Sequence, residues 1–222
     1  MEDSLLARAP LFDGLTAQEQ AEAVRRLGSR RVRCPRGTFL WRQGEVPAGV
    51  GLVLQGSFHL VREDVWGRRR ILETLSPGDC FGEAYACLPG TPLEVGVFAA
   101  AEAEALLLRL SPQAGAGAAW QARLMQNLAR VLAAKNLTLT RKIQYLSQRS
   151  LREKLLAYLS AQAMGAASPE FDIPFGRQQL ADYLCCDRSA LCRQLSLLKK
   201  EGLIRFRKNR FQLLADARPE DF

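Results

Sequence analysis

Half of the chain's six cysteines lie within LADYLCCDRSALCRQL, residues 180–195. Thiols at such close spacing could bind a metal ion or act as a redox switch. The same stretch carries arginines, which favour a helix that contacts a polyanion. The residue spacing has to distinguish these two kinds of chemistry. The three cysteines are Cys185, Cys186 and Cys192.

The spacing of these cysteines does not suit a structural zinc site. Such sites use four ligands in spaced pairs, whereas Cys185 and Cys186 are adjacent. The only histidine, His59, lies far away in the sequence. We therefore predict no metal site and no cofactor. A thiol switch is left open at Cys186 or Cys192, because neighbouring arginines favour a reactive thiolate.

A DNA-recognition helix explains more of the residues in this stretch. Asp187 is a good N-cap, and leucines four and three apart along the following helix would face a core. Arg188, Ser189 and Arg193 then lie on the outer face near the helix start, where a recognition helix enters the major groove. Arginine can bind guanine O6 and N7 together, so we predict that these three residues read bases. The leucines are Leu191, Leu195 and Leu198.

Positive charge is concentrated in the same part of the chain. The formal net charge is +8, and residues 135–210 carry 15 Lys and Arg against 6 Asp and Glu. A basic segment of this kind favours nucleic acid as the partner, with a solvated basic face as the alternative. The predicted contacts to DNA phosphates are Arg177, Gln178, Lys199, Lys200, Arg205, Arg207, Lys208 and Arg210.

Three kinds of element are predicted to position these side chains. Short apolar runs punctuated by glycines in residues 29–110 are typical of a β sandwich or barrel. A helix is predicted before this region, with Thr16 and Glu19 as its capping box. A helix over residues 116–147 carries a heptad rhythm, which predicts a dimer seam, although a core helix of one chain is the alternative. The seam residues are Met125, Leu128, Leu132, Leu139 and Leu146.

The C-terminal part reads as helix, turn, helix and then the basic hairpin LIRFRKNRFQLL. Lys208 and Asn209 are expected at the tip of that hairpin. This order is the pattern of a winged helix-turn-helix domain.

These blocks together resemble the Crp/Fnr superfamily of bacterial transcription regulators, over roughly residues 10–215. The resemblance rests on RGTFLWRQGE…LVLQGSFHLV…GRRRILETLSPGDCFGE, on the long helix, and on GRQQLADYLCCDRSALCRQLSLLKKEGLI. It implies an α+β fold. Residues 1–115 would form a double-stranded β-helix, the cyclic-nucleotide-binding-type β-roll. Residues 116–147 would be a dimerisation helix, and residues 148–222 a winged helix-turn-helix DNA-binding domain.

The resemblance also implies a homodimer on an inverted repeat of double-stranded DNA and RNA polymerase as a further partner. Many family members carry Glu where Ser189 stands, so the usual half-site is not expected here. The implied activity is transcription regulation, more as an activator than as a repressor, with an unknown effector.

The implied effector pocket departs from the family pattern. Nucleotide-binding members carry an Arg that neutralises the cyclic phosphate, but Leu93 and Glu94 occupy those positions, and residues 71–108 contain no Lys or Arg. Cyclic AMP or cyclic GMP is therefore not expected to bind. Glu83 would be a retained scaffold residue that caps a helix start. A different small-molecule effector is left open, with a pocket of Phe81, Gly82, Glu83, Ala84, Leu93 and Glu94.

Other functional classes have less support in the sequence. A thiol- or metal-dependent redox sensor that uses the cysteines is the main alternative. The sequence shows no Ser/His/Asp set, P-loop or paired-carboxylate motif, so we do not expect an enzyme. Because no apolar run is long enough for a membrane span and MEDSLLARAPLF has no signal-type apolar region, we expect a cytoplasmic protein with no membrane contact.

Overall fold

The chain folds into two compact units, residues 1–135 and 136–222. The computed structural model describes residues 5–63, 66, 69–110 and 117–214. The helices are α1 (Ala17–Arg26), α2 (Glu83–Cys87), α3 (Ala119–Leu146), α4 (Leu151–Ala166), α5 (Arg177–Tyr183) and α6 (Arg188–Lys200). The strands are β1 (Arg30–Cys34), β2 (Phe39–Trp41), β3 (Val50–Gln55), β4 (Phe58–Glu63), β5 (Arg69–Leu75), β6 (Cys80–Phe81), β7 (Gly96–Ala99), β8 (Ala103–Leu108), β9 (Glu170–Asp172), β10 (Ile204–Arg207) and β11 (Arg210–Leu213).

Two four-stranded antiparallel sheets build the first unit. Their strand orders are β1-β8-β3-β6 and β2-β7-β4-β5. Side chains alternate across each strand, so each sheet turns one apolar row toward the other. The core between the sheets includes Val53, Phe58, Phe81 and Val97, all almost fully buried. This arrangement confirms the predicted cyclic-nucleotide-binding-type β-roll.

Helical segments close a second core of the first unit. A 3-10 turn at Pro10–Phe12 and the start of α3 pack on the strands through residues such as Trp120 and Leu124. The predicted capping box at the start of α1 is present, since the Thr16 hydroxyl accepts from the Glu19 N–H at 3.3 Å and the Thr16 N–H donates to the Glu19 carboxylate at 2.8 Å.

Helix α3 has 28 residues, about 42 Å at the usual rise per residue. The predicted seam residues along it lie in different surroundings. Leu128 is 5% exposed in the core of its own unit, and Leu132 packs partly against that core. Leu128 therefore packs inside its own unit, and its role in a dimer seam stays a prediction. Met125 and Leu139 are exposed and Leu146 is half-buried.

The second unit is a winged helix-turn-helix. The three-stranded sheet β10-β11-β9 packs with α4, α5 and α6 around one apolar core. The pairing of Arg207 with Arg210 leaves Lys208 and Asn209 at the tip of the wing, the β10–β11 hairpin, as predicted. None of the helices in the described ranges combines the length and hydropathy of a membrane span. The predicted core leucines of α6 are confirmed as Leu191, Leu195 and Leu198.

The turn between α5 and α6 is a Schellman motif. The Cys186 N–H donates to the Ala181 carbonyl at 2.9 Å, and the Cys185 N–H donates to the Asp182 carbonyl at 3.2 Å. This pattern needs a left-handed residue after the helix, and Cys185 supplies it with φ +53°. A side chain with a Cβ atom is strained in that conformation, which glycine adopts freely.

Replacing Cys185 by glycine is expected to stabilise the second unit. Cys185 is exposed, so little burial is lost, and relief of the left-handed strain should raise the free energy of unfolding by about 0.5–1 kcal/mol. Urea unfolding followed by far-ultraviolet circular dichroism would measure the change. The matched control is Cys185→Ala, which keeps the Cβ atom and should leave stability unchanged. Equal stabilities of the glycine and alanine variants would contradict the explanation.

Candidate functional site

The outer face of α6 presents the predicted base-reading residues. The leucines of this helix point into the core, so Ser189 and Arg193 project to the opposite side. Arg188 is the first residue of the helix, and all three side chains are exposed. The helix begins after Asp187, as predicted. The Asp187 side chain nevertheless makes no capping hydrogen bond, so only the position of the cap is confirmed. A row of donors at the start of an exposed helix can contact base edges in a major groove.

The predicted phosphate contacts surround this helix, and several have partners within the chain. The Arg210 guanidinium pairs with the Glu170 carboxylate at 2.7 Å, and the Gln178 amide donates to Asp182 at 2.9 Å. The Lys199 ammonium lies 5.4 Å from the centroid of the Phe206 ring. The other exposed candidates are Lys200, Arg205, Arg207 and Lys208.

Arg177 differs from the other predicted phosphate contacts because it is half-buried against the wing. Its Nη2 atom donates to the Lys208 carbonyl at 2.7 Å. An open cavity of about 600 Å³ beside it is lined by Asp172, Arg177, Arg207, Lys208, Asn209 and Arg210. Most of these lining residues are cationic, so this surface favours an anionic ligand such as a nucleic-acid backbone.

In the first unit, Glu83 makes a buried ion pair in the predicted effector pocket. Its carboxylate is 7% exposed and accepts from the Lys135 ammonium at 2.7 Å, while Lys135 also donates to the Cys80 carbonyl at 2.9 Å. The residue before it, Gly82, is left-handed at φ +74°, and a Cβ atom there would lie 2.8 Å from Trp41. The prediction that Glu83 caps a helix start is wrong: the N-cap is Gly82, and the Glu83 side chain binds Lys135.

The charge state of Lys135 follows from this neighbour. Burial lowers the pKa of Lys135, but the Glu83 carboxylate and its hydrogen bond raise the pKa more, so it lies above its ordinary value. Lys135 is therefore an ammonium ion at neutral pH. Glu83 Oε2 is buried and has no hydrogen-bond partner among the described residues. Lys135 supplies the positive charge that residues 71–108 lack.

The positions where family members carry their phosphate-binding Arg hold no cation. Leu93 is buried in the core of the roll, and its backbone pairs with Glu45 and Gly44. Glu94 is exposed, and its N–H donates to the Tyr85 hydroxyl at 3.2 Å. The remaining residues assigned to this pocket lie on either side of Glu83. Phe81 is in the core, Gly82 caps α2 and Ala84 is in its first turn.

The cysteines do not form one reactive site. Cys34 and Cys80 are buried, and burial raises the pKa of the Cys80 thiol to about 12. Burial also raises the pKa of Cys186, which opposes the thiolate that a redox switch requires. Cys185 is exposed in the turn. In the part of the chain that the structure describes, no group of three or more His, Cys, Asp or Glu could hold a metal ion.

Sequence reasoning missed two contacts in these sites, those of Lys135 and Arg177. Lys135 fits the heptad rhythm of α3. Its position in the sequence does not show that it pairs with Glu83, which lies far away along the chain. A lysine at an otherwise apolar heptad position is the signal that could have indicated a buried acid. The contact of Arg177 with Lys208 joins residues 31 apart, so local sequence could not show it.

Comparisons with known families match both units. Residues 31–113 match the cyclic nucleotide-binding domain, and residues 153–218 match the Crp-like helix-turn-helix domain. A CRP-like cAMP-activated global transcriptional regulator of Mycobacterium tuberculosis is 31% identical over 88 residues, which are 40% of this chain and 38% of that protein. The match therefore spans well under half the length of that relative.

A longer match links the chain to the transcriptional activator protein FnrL of Cereibacter sphaeroides. It is 27% identical over 194 residues, covering 81% of this chain and 73% of that protein. Among solved structures, the c-di-GMP responsive global regulator CLP of Xanthomonas campestris superposes with a TM-score of 0.59. That match is 22% identical and covers 90% of this chain and 100% of the other, so it shows likeness of fold.

Removing the cation from the buried pair should destabilise the first unit. Lys135→Met leaves the Glu83 carboxylate buried without a counter-charge. We expect the free energy of unfolding to fall by about 2–3 kcal/mol. This loss is smaller than for a fully buried pair, because the Lys135 side chain is partly exposed and water screens its charge. Because folding raises the pKa of Lys135, the contribution is present at neutral pH and is lost as pH rises through the folded-state pKa.

Urea unfolding followed by tryptophan fluorescence would report this loss, since Trp41, Trp66 and Trp120 all lie in the first unit. The control is the double variant Glu83→Gln with Lys135→Met, which removes both charges and should regain at least half of the lost stability. A double variant no more stable than Lys135→Met would show that the buried charge is not the cause.

Proposed function

Since the chain belongs to the Crp/Fnr family of transcription regulators, we propose that it binds duplex DNA as a homodimer and regulates transcription at an inverted repeat. The observation that carries the proposal is the outer face of α6. Arg188, Ser189 and Arg193 are exposed near the start of this helix, and the buried leucines Leu191, Leu195 and Leu198 hold it against the core. A helix held by its apolar face presents these side chains in a fixed orientation, as base recognition requires.

The chemistry of the three side chains favours particular bases. Arg188 and Arg193 can each bind the O6 and N7 atoms of guanine in a bidentate manner. Ser189 has no charge and can donate or accept, so it adds little preference of its own. We therefore infer a half-site with guanine at the positions that the two arginines reach. The exposed lysines and arginines of α6 and the wing would contact the phosphates on either side.

The dimer would form through the C-terminal half of α3. Leu139 and Ile143 are 60% and 66% exposed, and Leu146 follows three residues later. Spacings of four and three place these residues on one face of a helix, where they can pack against the same face of a second copy. Two recognition helices related by such a dimer would meet half-sites about 34 Å apart.

We further propose that a cyclic nucleotide is not the effector. The cAMP activation named for the M. tuberculosis relative is not supported here, because Leu93 stands where a phosphate would need a cation. Glu83 is already engaged by Lys135. The transcriptional output would be activation through RNA polymerase, which is supported by the resemblance and by the activator named FnrL.

Selection from random duplex DNA tests the proposed function directly. Purified, reduced protein without added ligand, at near-physiological salt, is expected to enrich an inverted repeat with guanine in each half. Arg188→Ala should weaken binding to that repeat by about 10- to 100-fold and relax the preference at one position, because a bidentate base contact is lost.

The matched control for this selection is Lys200→Gln, which removes an exposed charge from the same helix. It should weaken binding to all sequences about equally, because a phosphate contact carries no base preference. Failure of the wild-type protein to enrich any sequence, or an unchanged base preference in Arg188→Ala, would contradict the proposal.

Calorimetric titration tests the effector part of the proposal. Cyclic AMP and cyclic GMP are expected to show no saturable binding at millimolar concentration, since their phosphate would meet no free cation and would lie near carboxylates. DNA affinity should be the same with and without either nucleotide. Saturable binding at micromolar concentration would overturn this part, while leaving the DNA proposal intact.

A further inference from the structure

Arg177 has contacts that differ from those of a phosphate-binding arginine. It is the first residue of α5, and its Nη2 atom donates to the Lys208 carbonyl at 2.7 Å. Its Cζ atom lies 5.1 Å from the ring centroids of both Phe206 and Phe211. One guanidinium thus contacts the tip of the wing and one aromatic residue on each of its two strands.

The aromatic residues that contact Arg177 belong to a larger apolar cluster. Phe206 and Phe211 stack with centroids 5.5 Å apart, and Phe171 on β9 stacks on Phe211 at 6.3 Å. Phe211 is almost fully buried. Lys199 of α6 also lies over the Phe206 ring. The guanidinium therefore sits on the ring cluster that joins the wing to the rest of the unit.

The environment of Arg177 opposes a direct contact with DNA. Burial lowers the pKa of Arg177, and its Nη1 atom is buried without a hydrogen-bond partner in the described part of the chain. The group remains ionised near neutral pH, because arginine titrates far above that range. To reach a phosphate, however, it would have to give up the Lys208 carbonyl and its ring contacts.

The carbonyl that Arg177 binds belongs to a conformationally demanding residue. Lys208 is left-handed at φ +53°, which a residue with a Cβ atom adopts at a cost. The next carbonyl, that of Asn209, accepts from the Ile173 N–H at 2.9 Å. The two hydrogen bonds hold both residues of the wing tip. They fix the direction in which the exposed Arg207 and Lys208 side chains leave the hairpin.

We propose that Arg177 is a positioning residue for the wing, and that it acts on DNA affinity by orienting Arg207 and Lys208. This inference rests on the proposed DNA-binding function. It replaces the phosphate contact predicted for Arg177 from the sequence. The contact to the DNA backbone is made by the wing side chains that Arg177 holds in place.

The planar shape of the guanidinium makes this role distinguishable from a phosphate contact. Lysine can replace arginine at a phosphate, because a point charge with rotatable donors is sufficient there. It cannot lie flat on two rings while it donates in a fixed direction to a carbonyl. Arg177→Lys should therefore behave like Arg177→Gln.

The first experiment compares DNA affinity by fluorescence anisotropy, with the selected inverted repeat at one salt concentration. Arg177→Lys and Arg177→Gln are both expected to bind on the order of tenfold more weakly than wild type, from loss of the ring contacts and hydrogen bond. The matched pair is Arg205→Lys and Arg205→Gln, at an exposed position on the same wing. Of these, only Arg205→Gln should weaken binding. Near-wild-type affinity of Arg177→Lys with weak binding of Arg177→Gln would overturn the proposal.

The second experiment measures hydrogen exchange in the protein without DNA. Amides of β10 and β11 should exchange about fivefold or more faster in Arg177→Lys, because the wing opens more often when its tip is released. Lys208→Gln is the control, since the bound carbonyl belongs to the backbone and is retained. Unchanged exchange of the wing in Arg177→Lys would refute the positioning role, even if the DNA affinity had fallen.

This second measurement also separates the two proposals. If the wild-type protein binds no duplex, the proposed function fails, whereas faster wing exchange still supports the hold of Arg177 on the wing. If Arg177→Lys does not fold, Phe206→Leu removes one ring from under the guanidinium and keeps the charge. That variant should also exchange faster in the wing and bind DNA more weakly, and wild-type behaviour in both measurements would overturn the proposal.

Discussion

A carboxylate buried in the roll requires a compensating cation, and Lys135 supplies it from α3. The energetic cost of burying Glu83 unpaired would be several kcal/mol, so the position of this lysine on the helix is constrained. The N-terminal half of α3 contributes Trp120, Leu124 and Leu128 to the core of the first unit. Met125 is exposed in this half, and the exposed residues Leu137, Leu139 and Ile143 lie beyond the ion pair. The N-terminal half of α3 therefore packs mainly in the core of the first unit, whereas the C-terminal half has an exposed apolar face.

Arginines of the second unit also have partners within the chain, but these partners hold Arg210 and Arg177 with different strengths. The pair of Arg210 with Glu170 is exposed on both sides, and an exposed pair contributes little, so a phosphate can replace the carboxylate at small cost. Arg177 has a carbonyl and two rings as partners and is half-buried. Releasing it would expose apolar surface and free the wing tip. The two arginines thus differ in availability, because Arg210 is held by an exposed ion pair and Arg177 by packing.

The periodic parts of the fold could be predicted from the sequence. Leu191, Leu195 and Leu198 follow the helical period, and burial of their stripe determines which residues of α6 face outward. The hairpin pattern of LIRFRKNRFQLL likewise predicts the wing tip at Lys208 and Asn209, where the structure has it. What sequence could not provide were contacts between residues distant along the chain. The Glu83–Lys135 pair and the wing contact of Arg177 depend on how elements pack, and no local pattern encodes that.

One electrostatic requirement links the apolar Leu93 to the Glu83–Lys135 ion pair. A roll that binds a cyclic phosphate needs a cation near its polar centre, and Glu83 would then lie close to that cation and to the ligand. With Leu93 in the core instead, Glu83 would be a buried charge with no partner among residues 71–108. Lys135 resolves this within the chain, because its ammonium binds both Glu83 and the Cys80 carbonyl. The polar centre of the roll is thus compensated without a ligand, and the helix that compensates it is the one that carries the proposed dimer seam.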